Sequence, residues 1–562
     1  MNNPPWYKFY DNVKPKLNYP EGSIFDALES VSNTHLDKTA YMYFGLKHTY
    51  GQFLKEIDEC ACSFKALGLN RGDSVTICMP NTPVAIISFY ALNKMGITAN
   101  MTHPLSSEDE LEYYINESKS KSIVCIDITT DKVINIFDKT TLKNIITVSV
   151  GDLMPLHMKV LFGITKGRRV KVKQHDKMIK WREFLKIKND YKSSTYVKQN
   201  KDDVAVILYS GGTSGYPKGV ELTNLNFNAV ALQSLEACNV LSKGDSILSV
   251  MPVFHGFGLG IGIHAFMLLG GSCILVPQFS AVTFGNLLKK YRPNVIAGVP
   301  AIYEALLNNK KSKACDLSFL RCVISGGDSL SVELKKKMDH FLSEHNSKAK
   351  VREGYGLTEC VTGSCLSPIN YYKEGSIGIP YPDMYYKIVK HNTDEELPAN
   401  IEGEIVIAGP TLMKSYLNNK KDTAIAIRVH NDGRRWLHTG DLGYIDEDGF
   451  VYFKSRIKRL IISSGYCIYP QYIEALLDAH PNVLTSCVIG IPHQYKKEVG
   501  KAFIVLEKDI VDRKEALASI RRHCEAKLAK YSWPYEYEII DELPKTLVGK
   551  IAYTKLKEEV SN

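Results

Sequence analysis

The segment Tyr209-Ser-Gly-Gly-Thr-Ser-Gly-Tyr-Pro-Lys-Gly219 concentrates phosphate-handling chemistry. Gly211, Gly212, Gly215 and Gly219 let the backbone approach a ligand closely and expose amide hydrogens. Ser210, Thr213 and Ser214 add hydroxyl donors, and Lys218 adds a positive charge. Together these groups suit a polyphosphate. The GxxxxGK[ST] spacing of a Walker loop is missing. A flexible surface turn is the rival reading of any glycine-rich loop. The full Ser-Gly-Gly-Thr-Ser-Gly-x-Pro-Lys-Gly string argues against it.

Strands must deliver such a loop. The apolar run 204–208 reads as the strand that enters it, and residues 73–79, 122–126 and 144–150 read as further strands. Residues 82–95 read as a helix with Val84, Ile87, Ala91 and Met95 on one face. Strands alternating with helices predict a layered α/β architecture. Residues 151–194 are rich in Lys and Arg, open on an apolar cluster at 153–162, and read as a surface insertion or linker. A second boundary falls near 455–459. Beyond it, a helix at 470–479, strands at 486–491 and 502–506, and a helix near 513–528 suffice for a small domain. The expected organisation is a large body, 1–455, with a basic insertion at about 151–200, and a small mobile lid, 456–562, hinged near Lys458.

Composition excludes little. The 562 residues are 44% hydrophobic and 23% charged, which is ordinary for a globular protein. A net charge of +9 permits anionic ligands such as nucleotides, CoA or lipid headgroups, and no nucleic-acid partner is expected. The 13 cysteines include no CxxC pair, which fits a reducing compartment and free thiols and disfavours zinc fingers. Residues 1–20 are polar and proline-punctuated, unlike a signal peptide. The most hydrophobic window, 251–277, holds His255, His264 and closely spaced glycines, so a buried strand–loop–helix is expected there and not a bilayer span. The expected location is the cytoplasm. The apolar and basic clusters of 153–192 add the expectation of a peripheral contact with the inner membrane face.

The string from Ser210 to Gly219 resembles the phosphate-loop signature of the adenylate-forming superfamily. That superfamily includes acyl-CoA synthetases, coumarate–CoA ligases, beetle luciferases and peptide-synthetase adenylation domains. The resemblance covers nearly the whole chain, and the other motifs follow in the family's order. Gly354-Tyr-Gly-Leu-Thr-Glu359 matches the segment whose tyrosine stacks on adenine, whose threonine touches the α-phosphate and whose glutamate holds Mg²⁺. The resemblance gives these roles to Tyr355, Thr358 and Glu359. An aromatic face suits a flat base, and a carboxylate oxygen suits Mg²⁺. Trp436-Leu-His-Thr-Gly-Asp441 supplies the ribose-binding Asp441, and Arg456 matches the second ribose contact. Ser455-Arg-Ile-Lys-Arg459 resembles the interdomain hinge at Lys458, with Ser455 and Arg459 departing from the usual residues. Gly465 is where the resemblance lines the pantetheine tunnel with backbone. Ser464 stands where luciferases usually have Lys, which argues against bioluminescent oxidation. Leu543-Pro-Lys-Thr-Leu-Val-Gly-Lys550 resembles the terminal catalytic motif, whose lysine bridges the substrate carboxylate and the α-phosphate.

For the acid itself, Met251-Pro-Val-Phe-His-Gly-Phe-Gly-Leu259 resembles the acyl-pocket motif, with Phe254, His255 and Gly256 as lining and His255 as a gate. Gly326 and Gly327 of Ser325-Gly-Gly-Asp-Ser329 form a second lining segment. The stretch 251–259 holds no acid to pair with an amine, so an amino-acid substrate is disfavoured. Glycines 256, 258, 260 and 262 leave either room for an apolar chain or close-packed backbone. The implied fold is α/β, a large amino-terminal domain of layered α/β subdomains closed by a small mobile lid. The implied reaction is ATP-dependent formation of an acyl-adenylate, then of a CoA thioester, with ATP, Mg²⁺ and CoA. Catalytic roles fall to Lys550, Thr358, Glu359, His255 and Gly465. The expected substrate is a medium- or long-chain fatty acid. An aromatic-acid ligase, or one loading acyl-AMP onto a carrier protein, stays open. Oligomeric state is not legible.

Overall fold

The computed structural model describes residues 4–154, 172–191, 193–210, 217–309, 311–463, 466–528, 530–545 and 551–561. Two large sheets organise the amino-terminal domain. One has eight strands, in the order Ser415–Tyr416, Lys218–Thr223, Val204–Ser210, Thr98–Met101, Ser74–Cys78, Ser122–Ile126, Asn144–Val148 and Met178–Lys180. From Val204–Ser210 to Met178–Lys180 all neighbours are parallel. The second sheet has nine strands and is parallel from Val351–Gly356 through to Thr39–Tyr43. Parallel sheets need helices on both faces. Ser74–Cys78 and Ser122–Ile126 are accordingly buried at every position.

The helix expected at 82–95 runs Pro83–Lys94, capped by Thr82, whose hydroxyl accepts from Ala85 N. It buries every residue from Val84 to Asn93, not one face. The helices Ile24–Ser32 and Tyr50–Ala66 cover the side that a one-face pattern assigns to water. The basic stretch also differs from a surface insertion. Met178–Lys180 pairs with Asn144–Val148 as the last strand of its sheet. Trp181 and Phe184 turn inward, with the Phe184 ring 4.9 Å from Phe64. Lys173 Nζ donates to Asn135 Oδ1 at 2.9 Å. Residues 155–171, with Lys166, Arg168, Arg169 and Lys171, lie outside the described residues. Among the described residues no helix is long and apolar enough to cross a membrane.

The apolar window holds a π-helix, Phe257–Ala265, buried throughout. π-Helical turns recur at functional sites. His264 closes this one onto its neighbours: Nδ1 lies 3.0 Å from Tyr90 Oη and Nε2 lies 2.9 Å from Asn228 Oδ1. Burial lowers its pKa from 6.5 to about 3. The unfolded chain therefore binds more protons than the fold between those values, and stability is lost as pH falls below about 6.5. A pH series of urea melts should show this loss, up to about 1.4 kcal/mol per pH unit. His264→Asn should flatten it.

A five-stranded antiparallel sheet follows. Its order is Tyr385–Val389, Gly403–Ala408, Arg435–Ile445 and Ile427–Val429, with Val451–Arg456 also paired to Arg435–Ile445. The small carboxy-terminal domain is built on Ile461–Ser463, Tyr466–Ile468, Val483–His493, Lys497–Leu506 and Glu536–Ile539. Its strands alternate with period two. Val488, Ala502 and Ile504 pack with Ile473, Leu477, Ile520 and Cys524 of helices Pro470–Asp478 and Arg513–Lys527. Ile489, Phe503 and Val505 face the other way, toward Leu556 of helix Tyr553–Ser561.

Candidate functional site

The strands Val204–Ser210 and Lys218–Thr223 form an antiparallel hairpin, with Ser210 opposite Lys218. Gly211, Gly212, Thr213, Ser214 and Gly215, between the two strands in sequence, lie outside the described residues. The hairpin runs into helix Asn224–Cys238, which Thr223 and Asn226 close with a reciprocal capping box. Asn226 Nδ2 also donates to the carbonyls of Pro410 and Leu412, both at 2.8 Å. This fixes the segment whose next residue, Met413, donates its N–H to Glu359 O at 2.8 Å.

That segment brings the phosphate hairpin and the Thr358–Glu359 motif together. Tyr416 donates to Glu359 Oε1 at 2.8 Å, and its ring carries Lys218 Nζ 4.8 Å above the centroid. Lys218 Nζ also lies 2.5 Å from Asp422 Oδ2. The hydrogen bond from Lys218 lowers the Asp422 pKa. No motif in the sequence marks Tyr416 or Asp422. Tyr416 sits on a two-residue strand, too short to show a period. Thr358 and Glu359 occupy a single 3₁₀ turn. Val361, just beyond it, has φ +66° and ψ −57°. A β-branched residue there is strained, and such strain clusters at functional sites.

The buried carboxylate of Asp441 is the centre of the second group. Tyr355 donates to Asp441 Oδ2 at 2.6 Å, and Arg456 Nε lies 3.5 Å from Oδ1. Antiparallel pairing sets this up, because Asp441 and Arg456 are directly opposite on adjacent strands. Asp441 is 1% exposed. Desolvation raises its pKa, and Arg456 opposes the rise. Oδ1 is buried yet accepts no hydrogen bond among the described residues. An acceptor in that condition wants a donor such as a ribose hydroxyl.

Gly326 and Gly327 follow the strand Cys322–Ser325, and Gly327 has φ +80°. A Cβ on Gly326 would stand 3.1 Å from Gly354 O and 3.8 Å from the Phe257 ring. The two lining segments therefore meet beside Tyr355. Asn81 holds the turn before them, donating to the carbonyls of Ser249 and Met251 and accepting from Val253 N, each at 2.9 Å. Phe254 lies 4.4 Å, ring to ring, from His103, and His255 Nδ1 accepts from Phe257 N at 3.2 Å. Gly256 and Gly258 resolve the earlier ambiguity toward packed backbone. A Cβ on Gly256 would fall 1.7 Å from Val361 O, and one on Gly258 would fall 2.1 Å from Pro252 O.

At the junction of the domains, Lys458 is the middle residue of the 3₁₀ turn Ile457–Arg459. The arginines around it hold opposite sides. Arg456 reaches Asp441 of the large domain, while Arg459 lies 2.5 Å from Glu474 of the small one. Tyr469 donates to Glu402 across the junction at 3.0 Å. Burial raises the pKa of Glu304 in the large domain, and the charge of Lys545 partly opposes the rise. Gly465 and Lys550 lie outside the described residues.

A large α/β domain that carries these motifs and a small α/β domain joined to it at one turn make the fold of the adenylate-forming enzymes. The chain belongs to the AMP-binding enzyme family: that family's model matches residues 28–417, and the model of the AMP-binding enzyme C-terminal domain matches 472–550. A long-chain-fatty-acid–CoA ligase of Bacillus subtilis (strain 168) is 34% identical over 577 residues, covering 99% of this chain and 98% of that one. Among solved structures, an ATP-bound chimera of RpMatB and BxBclM matches at TM-score 0.83 and 25% identity, over 96% of this chain and 99% of that one. A Mycobacterium tuberculosis fatty acyl CoA synthetase matches at TM-score 0.70 and 25% identity, over 96% and 98%.

Proposed function

We propose that this chain is an AMP-forming fatty-acid–CoA ligase: it condenses a medium- or long-chain acid with ATP into an acyl-adenylate, then passes the acyl group to CoA. The observation that carries the reading is the buried Asp441 carboxylate, held between Tyr355 and Arg456, with Oδ1 accepting no hydrogen bond among the described residues. The near-full-length likeness to a long-chain-fatty-acid–CoA ligase supports the substrate class.

In this reading Asp441 and Arg456 take the ribose and Tyr355 the adenine. Ser210, Thr213, Ser214 and Lys218 cradle the β- and γ-phosphates, and Thr358 touches the α-phosphate. Lys218 must exchange Asp422 for phosphate as ATP arrives, so the ion pair keeps the cation in place meanwhile. Glu359 fits Mg²⁺, since its carboxylate is hard and is oriented by Tyr416. Bound Mg²⁺ would offset phosphate charge. Phe254, His255, Gly326 and Gly327 flank the acid. Lys550 bridges the acid's carboxylate and the α-phosphate, and Gly465 replaces it when the small domain turns about Lys458.

The test is a panel of acids from acetate to palmitate, with coumarate as the aromatic arm. An apolar tunnel gains about 0.8 kcal/mol per methylene, roughly fourfold. kcat/KM is therefore expected to climb with chain length and then level off. A maximum at acetate, or coumarate above every alkyl acid, would overturn the fatty-acid reading.

A further inference from the structure

Away from the nucleotide groups, the five-stranded sheet gathers three side chains from distant points of the sequence. Asp394 lies on the connection between strands Tyr385–Val389 and Gly403–Ala408. His430 lies on the turn between Ile427–Val429 and Arg435–Ile445, and His438 lies within Arg435–Ile445. Both histidines are buried, while Asp394 is 44% exposed at its side chain. Their ligand atoms converge. His430 Nε2 and His438 Nε2 are 3.0 Å apart, and Asp394 Oδ1 is 3.4 Å from the first and 3.6 Å from the second.

We propose that Asp394, His430 and His438 bind a divalent transition-metal ion, with zinc the best fit. A triangle of those sides accepts one ion about 2.0–2.1 Å from every corner, which is the ordinary zinc–nitrogen and zinc–oxygen bond length. The ion would sit roughly 0.6 Å out of the ligand plane, as a tetrahedral ion with water as fourth ligand does. Two imidazoles and one carboxylate select zinc and its neighbours over Mg²⁺ or Ca²⁺, which prefer all-oxygen shells.

A second, independent feature points the same way. Glu404 Oε2 lies 3.0 Å from His438 Nδ1. That carboxylate keeps the proton on Nδ1 and turns the Nε2 lone pair toward the cluster. This carboxylate–histidine pairing is the usual support of a metal-bound imidazole. Among the described residues nothing bonds His430 Nδ1, so nothing there obliges its Nε2 to carry the hydrogen. Arg428 Nη1 lies 3.5 Å from Asp394 Oδ1.

The competing arrangement is a bare hydrogen bond from His430 to His438. It satisfies the His438 Nε2 lone pair but leaves His430 Nδ1 without a partner among the described residues, and the Asp394 carboxylate gains only two long contacts from the histidines. The ion would staple two hairpin ends of the sheet. Glu404 connects it to the ribose group, because its other oxygen accepts from Gly440 N at 3.0 Å, next to Asp441.

The experiment uses tag-free, full-length protein stripped with dipicolinate, incubated with excess zinc and desalted, with zinc measured by plasma mass spectrometry. Wild type is expected to retain about one zinc per chain, and His430→Gln roughly a tenth of that or less. Asp394→Asn, a near-isosteric change on a side chain that is 44% exposed, should also lose most of the metal. Exposed His340→Gln should retain it. Zinc should raise the melting temperature of stripped wild type but not of the two ligand variants. Cobalt should give the intense visible bands of a tetrahedral site only in wild type and His340→Gln. Failure of wild type to retain zinc, or equal retention by His430→Gln and Asp394→Asn, would overturn the site.

Discussion

Lys550→Ala is expected to slow acid-dependent pyrophosphate release by about 10²–10³-fold while leaving thioester formation from supplied acyl-adenylate and CoA near the wild-type rate. The acid's carboxylate and the α-phosphate are both anionic, so a cation between them matters most while the new bond forms. Once the adenylate exists, that charge has no further role. Lys550 and residues 546–549 before it lie outside the described residues. Lys545 and Ile551, on either side of the stretch, pair in an antiparallel bridge. Single-turnover assays of each half-reaction separate the two rates. Equal loss in both would contradict the assignment.

Asp441→Ala should behave differently. A hydrogen bond to a charged group is worth about 1.5–3 kcal/mol. Losing both ribose contacts should then weaken ATP binding by roughly 10²-fold or more, read as a rise in KM for ATP. The acyl-adenylate keeps the same ribose, so thioester formation from supplied adenylate should suffer too. Removing the carboxylate also leaves Arg456 and the Tyr355 hydroxyl without their shared partner. Asp441→Asn, which keeps one acceptor oxygen, should lose less. Unchanged KM values for ATP in the alanine variant would remove Asp441 from the ribose site.

The sequence made some of this legible and hid the rest for physical reasons. Strands such as Ser122–Ile126 announce themselves as apolar runs, since parallel strands are covered on both faces. The motif residues Lys218, Tyr355, Glu359, Asp441 and Arg456 could be named because their local strings are distinctive. Their mutual contacts could not. Tyr355 meets Asp441 across 86 residues, and Tyr416 meets Glu359 across 57. Helix Pro83–Lys94 defeats a one-face reading because helices and sheet surround it. Met178–Phe184 hid a sheet edge and two core aromatics inside a lysine-rich stretch, where composition outweighed pattern. Asp394, His430 and His438 carry no ligand spacing, because two hairpins, not one local turn, bring them together.

The most direct test of the central claim is ATP–pyrophosphate exchange with a long-chain acid and no CoA. Activation through an acyl-adenylate predicts labelled ATP only when the acid is present, at a rate that needs no CoA, and thioester only after CoA is added. Exchange without acid, or none until CoA is supplied, would contradict it.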